Sequence, residues 1–356
     1  MKNVNELVSA RSKWLHGTNP TEGGIVISSR IRLARNLGGF NFLCKCSDRD
    51  REEIQSLILA ALNGSDLNGN YLYVHLDTMG PLERQLLVER HLISKHHAET
   101  EGPRGVAFVR DESTSLMINE EDHLRMQVLF GGLDLEKAWK RINDLDDQLE
   151  ERLEFAFHEQ FGYLTACPTN IGTGIRVSVM MHLPALKITG EIERVFRAAK
   201  DMHLAVRGLY GEGTEATGDF YQISNQSTLG KTEEETVEEF RDLVVPRITE
   251  YELRARETLL RQKPTLVEDK VWRAIGMLKY ARTISTEETL FLLSHLRMGL
   301  NMGLIGEIDL ETLNELFLTT QPAHLQILTG QRLDGEQRSK LRAEHIRRRL
   351  SNHQNN

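Results

Sequence analysis

Short apolar runs alternate with longer runs of helical periodicity between about Ile25 and Asn225. The short runs are YLYVHLD (71–77), GVAFVR (105–110), SLMIN (115–119), LRMQVLF (124–130), RVSVMMHL (176–183), LAVRGLY (204–210) and DFYQIS (219–224). They are rich in Val, Ile, Tyr and Phe and bounded by Gly, Asn, Asp or Pro, which predicts strands. Several adjoin one another across short turns, as 105–110 and 115–119 do, and this favours antiparallel pairing over strict βαβ alternation. Apolar positions at helical spacing predict helices near 48–62, 82–94, 134–160 and 189–202.

Beyond Lys231 the strand signals fade. Thr232-Glu-Glu-Glu235 and Ser285-Thr-Glu-Glu288 each have the form of a capping box ahead of a helical apolar pattern. Leu290, Leu293 and Leu300, then Leu310, Leu313, Leu316 and Phe317, recur near helical spacing, as a core stripe or a dimer seam does. Pro246 and Pro264 punctuate the approach to this region. The pattern predicts an α+β fold, with a mixed domain over residues 1–255 and an all-α domain over 256–356.

At 356 residues the length suits about two domains of ~150 residues. With 40% apolar and 27% charged residues, the chain has the makings of a globular core. No stretch approaches the ~20 apolar residues of a membrane span. The opening MKNVNELVSARSKWL lacks the apolar block and small residues of a secretory signal. Cys44, Cys46 and Cys167 supply no disulfide framework, and no partner pair at zinc-ligand spacing accompanies the first two. A cytoplasmic protein with reduced thiols is expected. The net charge of −8 disfavours general nucleic-acid binding. Residues 331–356 depart from that balance with seven Lys/Arg against three Asp/Glu, which suits contact with an anionic partner or a solvated helix face.

Four segments concentrate polar residues within or beside strand-like runs. They are Ser28-Ser-Arg-Ile-Arg32, Asn119-Glu-Glu-Asp-His-Leu-Arg125, Cys167-Pro-Thr-Asn-Ile-Gly-Thr-Gly-Ile-Arg176 and Arg207-Gly-Leu-Tyr-Gly-Glu212. Charges in strands face water or pair, because burying them alone is costly. Arg30 and Arg32 stand two apart, so a strand points both to one face. Arginine grips phosphate oxygens bidentately with a charge that does not titrate away. Arg30, Arg32, Arg125, Arg176 and Arg207 together suit a triphosphate, and the Gly172-Thr-Gly174 loop suits close approach of backbone amides to it. The chain has no GxxxxGK[ST] and no HRD or DFG set, so neither a P-loop enzyme nor an ordinary Ser/Thr/Tyr kinase fits. Taken singly, each arginine also suits a surface salt bridge, and Cys167 suits buried packing. The residues by themselves describe a phosphate-handling α+β enzyme.

At these same segments the chain closely resembles the phosphagen (guanidino) kinase superfamily. SSRIRLARN (28–36), NEEDHLR (119–125), CPTNIGTGIRVSV (167–179) and RGLYGE (207–212) are similar to its signatures and stand in its order. The resemblance implies a catalytic domain with a large antiparallel sheet flanked by helices, using ATP with Mg2+ bound through the nucleotide. It implies a nucleotide site built from Ser28, Ser29, Arg30, Ile31 and Arg32, from Arg125, and from Arg176, Val177, Ser178, Val179 and Met180. Arg207, Gly208, Leu209, Tyr210, Gly211 and Glu212 complete it, with His91 in ERHLIS as a nucleotide-contacting histidine. Glu121 and Glu212 match the two carboxylates that hold the acceptor guanidinium, and Cys167 matches the thiol beside it.

Small-substrate members of the superfamily carry a helical domain ahead of the first arginine motif. Here 27 residues precede Ser28, and about 100 helical residues follow the mixed region. That layout, with Met180 where small-substrate members commonly have His, is similar to the bacterial protein-arginine kinases. The resemblance implies phosphorylation of exposed arginines on proteins, in bacterial protein quality control and stress response. It further implies a cytoplasmic homodimer, with an activator subunit and the Clp chaperone-protease as candidate partners and no membrane or direct nucleic-acid contact. The family's RDxxRA motif, which binds phosphoarginine, corresponds to Arg338-Ser-Lys-Leu-Arg-Ala343. There Ser339 replaces the carboxylate between Arg338 and the pair Arg342 and Ala343, and a plain basic helix is the alternative. Two other functions stay open: a kinase of free arginine or another small guanidino compound, and an inactive phosphoarginine-binding adaptor.

Overall fold

Side-chain alternation along strands organises the molecule. The computed structural model describes residues 4–15, 24–208 and 217–352. Its strands are β1 (Val26–Arg35), β2 (Tyr71–His75), β3 (Gly105–Val109), β4 (Thr114–Ile118) and β5 (Leu124–Gly131), followed by β6 (Phe157–His158) and β7 (Gly162–Tyr163), then β8 (Ile175–His182), β9 (Leu204–Gly208) and β10 (Phe220–Asn225). Apart from the small β6–β7 hairpin, they form one eight-stranded sheet in the order β2-β3-β4-β5-β1-β8-β10-β9, antiparallel throughout.

All seven apolar runs become strands. The hub of the sheet, β1, is not among them, because Ser28, Arg30 and Arg32 interrupt its apolar residues at every second position. On its apolar side, Ile31 lies opposite Val128 and Val177, and Leu33 opposite Met126 and Ile175. These residues form the main core with Ile54, Ile58 and Leu62 of α1 (Asp48–Asn63). Each such side chain contributes roughly 1.5–3 kcal/mol through burial.

Three helical expectations change in detail. The run near 82–94 splits into α2 (Pro81–Glu89) and α3 (Lys95–Glu99), because His91 adopts a left-handed backbone with φ 59°. The run near 134–160 stops early as α4 (Leu135–Glu150), after which Leu153 and Phe155 turn into the core. The run near 189–202 becomes α5 (Pro184–Thr189) and α6 (Ile192–Asp201), separated by left-handed Gly190.

The remainder is helical: α7 (Glu233–Glu239), a π-helical turn at Phe240–Val244, α8 (Val245–Gln262), α9 (Pro264–Tyr280), α10 (Thr286–Asn301), α11 (Leu310–Thr319), α12 (Pro322–Thr329) and α13 (Gly335–Asn352). Thr232 and Glu235 form the full reciprocal capping box; at Ser285 the hydroxyl accepts from the Glu288 amide. Position 255/256 falls inside α8, and the chain turns instead at Lys263, where Pro264 opens α9. Residues from α10 and α11 reach back to the sheet, where Leu290, Phe317 and Leu318 cluster with Trp14, Ile27, Leu129, Met180 and Phe220.

Buried Glu252 joins α8 to the sheet layer: its carboxylate accepts from the amides of Ala185 and Leu186 and from Arg256 Nε at 2.8 Å. Removing it takes the carboxylate from a buried guanidinium and the acceptor from two amides. Glu252→Ala is therefore expected to lower unfolding stability by about 3 kcal/mol in urea titration. A change below about 0.5 kcal/mol would contradict this assignment.

Candidate functional site

Opposite the core, the centre of the sheet is polar. On β1, alternation sends Ser28, Arg30 and Arg32 to this side. Pairing sets Arg30 beside Leu129 and Ser178, Arg32 beside Gln127 and Arg176, and Ala34 beside Arg125. Farther across, Gln222 lies between Met180 and Arg207. Arg30, Arg32, Arg125, Arg176 and Arg207 thus share one face, and with His91, Glu121 and Cys167 they line a cleft of about 500 Å³.

Among the described residues that line the cleft, arginines outnumber carboxylates. Arg30 donates from Nε to Ser178 Oγ at 3.3 Å and is bonded through Nη2 to Gln222 Oε1, both neutral acceptors. Burial, reinforced by Arg176, Arg125 and Arg207, lowers its pKa to about 9. The same forces hold Arg32 well below its ordinary value: burial first, then Arg30, Arg125 and Arg176. The buried Nε of Arg32 meets no hydrogen-bond acceptor among the described residues. Arg176 donates from Nη2 to Ser224 Oγ at 3.1 Å. Arg125 differs, lying 2.7 Å from Glu120 and 3.6 Å from Glu121. Burial pushes Glu120 up, but Arg125 and a hydrogen bond from Ser94 outweigh it and carry the carboxyl down to about 2. Anionic oxygens of a ligand suit this array of guanidinium groups.

One end of the cleft carries Glu121, half-buried, whose pKa is raised by burial and then by Glu120 and Asp122, against the pull of Arg125. Its neighbour Asp122 is buried and accepts from Asn36 Nδ2 and the Ala166 amide, both at 2.6 Å. Asn36 also receives the His123 amide and donates to the Leu164 carbonyl. These bonds staple the Glu121 loop to the segment that presents Cys167, whose Sγ lies 3.0 Å from Thr169 Oγ1. Asn36 and Asp122 sit inside the sequence motifs, but their partners are far away in sequence, so no local signal marks this role.

At the other end is a recess lined by Trp14, Ser28, Arg30, His91, Leu129, Ser178, Met180 and Gln222. Trp14 meets His91 edge-on at 4.9 Å. Burial, with Arg30 adding to it, drives His91 down to about 3, so the ring is neutral at physiological pH. No sequence pattern singles out Trp14.

Several expected residues lie elsewhere. Ser29, Ile31, Val177 and Val179 alternate to the opposite face. There Ser29 Oγ donates to the Gly132 carbonyl at 2.7 Å, and the three apolar side chains fill the core. The Gly172–Gly174 loop also departs from expectation. The Gly172 amide donates to Tyr163 O and the Thr173 amide to Thr228 O. Its glycines serve close packing instead: a Cβ on Gly174, at φ 65°, would lie 2.6 Å from Ala34 O. Gly208 pairs with Tyr221 at the end of β9, while Leu209, Tyr210, Gly211 and Glu212 lie outside the described residues. Arg338, Ser339, Arg342 and Ala343 lie on α13 and do not line the cleft. Arg342 is buried and donates to Thr320 O and Ile284 O at 2.7 and 3.0 Å. Among the described residues no group of three or more His, Cys, Asp or Glu side chains is placed to hold a metal ion, and no helix is long and apolar enough to cross a membrane.

Comparison with known proteins agrees along most of the chain. The family model "ATP:guanido phosphotransferase, C-terminal catalytic domain" matches residues 53–255, and "Protein-arginine kinase McsB C-terminal domain" matches 264–356. A relative from Symbiobacterium thermophilum named protein-arginine kinase is 48% identical over 98% of this chain and 99% of its own. A Halothermothrix orenii relative of the same name is 46% identical over 96% and 97%. Among solved structures, lombricine kinase aligns with a TM-score of 0.57 and 28% identity, over 69% of this chain and 70% of its own. The duplicated taurocyamine kinase of Schistosoma mansoni, with bound transition state analog components, aligns at 0.61 and 28%, over 76% of this chain and 39% of its own.

The charge imbalance predicts opposite effects of one substitution with and without an anion. Arg32→Ala removes a half-buried cation that is repelled by its neighbours, so the variant should melt at or above the wild-type temperature in anion-free buffer. Inorganic triphosphate should raise the wild-type melting temperature and lose most of that effect on the variant. An equal rise in both proteins would show that Arg32 does not meet the anion.

Proposed function

The chain belongs to the ATP:guanido phosphotransferase family, and we propose that it transfers the γ-phosphoryl group of ATP to arginine side chains of proteins. The main support is the gathering of Arg30, Arg32, Arg125, Arg176 and Arg207 in one cleft with Glu121 at its far end. In this reading the triphosphate lies over the arginines, and the nucleoside enters the recess beside Trp14, His91 and Met180. Ser178, Gln222 and Ser224 orient the guanidinium groups from beneath. Mg2+ would come bound to the phosphates and would add positive charge there.

The acceptor sets the chemical problem. A free arginine side chain has a pKa near ~13.8, so full deprotonation at pH 7 would cost about 9 kcal/mol. Glu121 avoids that cost by accepting the proton from the attacking nitrogen while the N–P bond forms and the bond from phosphorus to the ADP oxygen breaks. Glu212 is the second carboxylate of this proposal, and Cys167 adds polarity beside the acceptor. Positive charge around the transferring group stabilises the transition state; in other systems a single arginine is worth ~10³–10⁵ in rate.

Protein substrates are favoured by relatives at 43–48% identity whose name specifies protein arginine, and by the match of the helical region to their C-terminal domain. We extend the proposal to action in the bacterial cytoplasm as a homodimer, feeding tagged proteins to a chaperone-protease and answering to an activator subunit. A phosphoarginine site around Arg338 and Ser339 has weaker support, since Arg342 is already committed to two carbonyls.

The direct test is incubation with ATP and an unfolded protein, followed by mass spectrometry for phosphoarginine under conditions kept away from acid. Label on free arginine alone would transfer the assignment to a small-substrate kinase. Glu121→Gln should lower kcat about 10²–10⁴-fold with nucleotide affinity retained.

Glu121 must be ionised to act, and burial raises its pKa, so activity should fall as pH drops through a value above the usual glutamate range. A bound guanidinium favours the ionised carboxylate. The acid limb of kcat should therefore lie below that of kcat/KM in pH-rate profiles. Coincident limbs, both unmoved in Glu121→Gln, would remove Glu121 from the role of base.

A further inference from the structure

Arg90 ends α2 one residue before His91, and its guanidinium joins three distant pieces of chain. Nε donates to Glu112 at 2.6 Å. Nη2 donates to the Ala10 carbonyl at 2.9 Å and to Ser12 Oγ at 2.8 Å. Nη1 faces His324 Nε2 at 3.3 Å. On the far side of that ring, His324 Nδ1 lies 2.8 Å from Glu89, which also accepts the backbone amides of Ala323 and His324 at the start of α12. Ser12 donates to Glu112 and closes the network. Ser12, Glu89, Arg90, Glu112 and His324 are each no more than 2% exposed.

The donors and acceptors define the imidazole's state. Arg90 has only N–H groups to offer, so Nε2 must accept, while Nδ1 carries the proton donated to Glu89. A neutral His324 therefore bridges the acid to the guanidinium. Charged, it would turn a second N–H toward Arg90, and burial opposes that form in any case.

What this network holds is the wall of the recess. Ser12 stands two residues before Trp14, and Arg90 immediately precedes His91. These are the rings that meet edge-on beside Arg30 and Met180. His91 keeps a left-handed backbone, a conformation that surrounding contacts must impose on a non-glycine residue. Gln127 Nε2 secures its carbonyl from the sheet side at 2.7 Å, and Arg90 secures the chain from the other.

We propose that Arg90, braced by Glu89 and His324, is a positioning residue for the nucleotide, and that α12 is thereby a working part of the nucleoside end of the cleft. This rests on the nucleotide reading above. Contact with the C-terminal helices does more than stabilise the chain: it sets the angle between Trp14 and His91 and so the affinity for the base.

The experiment is titration calorimetry of MgADP on the full chain, with melting temperature and steady-state kinetics recorded in parallel. His324→Ala should weaken MgADP binding about tenfold, as displacing a site wall does. Its kcat at saturating ATP and its KM for the acceptor should stay within about twofold of wild type. His324→Gln, whose amide can donate to Glu89 and accept from Arg90, should recover most of the loss. Ser12→Ala, which removes one hydroxyl at the far end, should reproduce the direction of the effect should His324→Ala fail to fold. Wild-type affinity in a folded His324→Ala, or in Ser12→Ala where His324→Ala does not fold, would overturn the proposal. So would a loss of kcat that follows melting temperature with affinity unchanged. A wild-type chain that binds no MgADP would end the nucleotide reading itself, and this one with it.

Discussion

Guanidinium groups crowded onto one face of a sheet repel one another, and the rest of the architecture answers that constraint. Two like charges about 6 Å apart cost about 3 kcal/mol at an effective dielectric of ~20. Such a cluster persists only on a support stable enough to absorb the strain. Here the support is β1, hydrogen-bonded on one side to β5 and on the other to β8, with its reverse face sealed into the main core. The neutral acceptors Ser178, Gln222 and Ser224 fix the direction of Arg30 and Arg176. Among the described residues, Arg125 lies within salt-bridge distance of Glu120 and Glu121, and that contact belongs to the end where Glu121 waits.

Three arginines outside the cleft are treated in the opposite way. Arg35, next along β1 on the apolar side, is fully buried, paired with Asp146 and Glu233, and stacked 3.6 Å from the centre of the Tyr163 ring. Its Nη1 also holds the Thr173 carbonyl at 2.8 Å, so the ion pair anchors the segment that leads into β8. Arg256 and Arg90 likewise meet buried carboxylates. The contrast separates two uses of one residue type. At these three positions the charge is matched internally, whereas Arg30 in the cleft meets neutral acceptors among the described residues.

Much of this is legible in the sequence. The four polar motifs were conspicuous because charge is rare within strand-like runs, and the spacing of Arg30 and Arg32 already placed both on one side. The same period-two rule also shows why whole motifs overstate a site: Ser29, Ile31, Val177 and Val179 travel with the arginines in sequence but point into the core or its rim. The glycine loop misled for a related reason. A run such as Gly172-Thr-Gly174 looks the same whether its freedom admits a phosphate or a neighbouring strand, and here Ala34 and Thr228 take up the space. Helix ends at His91 and Glu150 were obscure because the backbone breaks there for tertiary reasons, without a proline or glycine at the break.

By itself the sequence determined which residue types alternate on each strand, and hence that a cationic face and an apolar face must be back to back. That follows from the two-residue repeat of extended backbone and needs no partner. Only the tertiary structure decided that β1 lies between β5 and β8, since neither neighbour is adjacent to it in the chain. It alone brought Ser12, Arg90, Glu112 and His324 into one buried network, because hydrogen bonds between segments far apart in sequence leave no periodic trace.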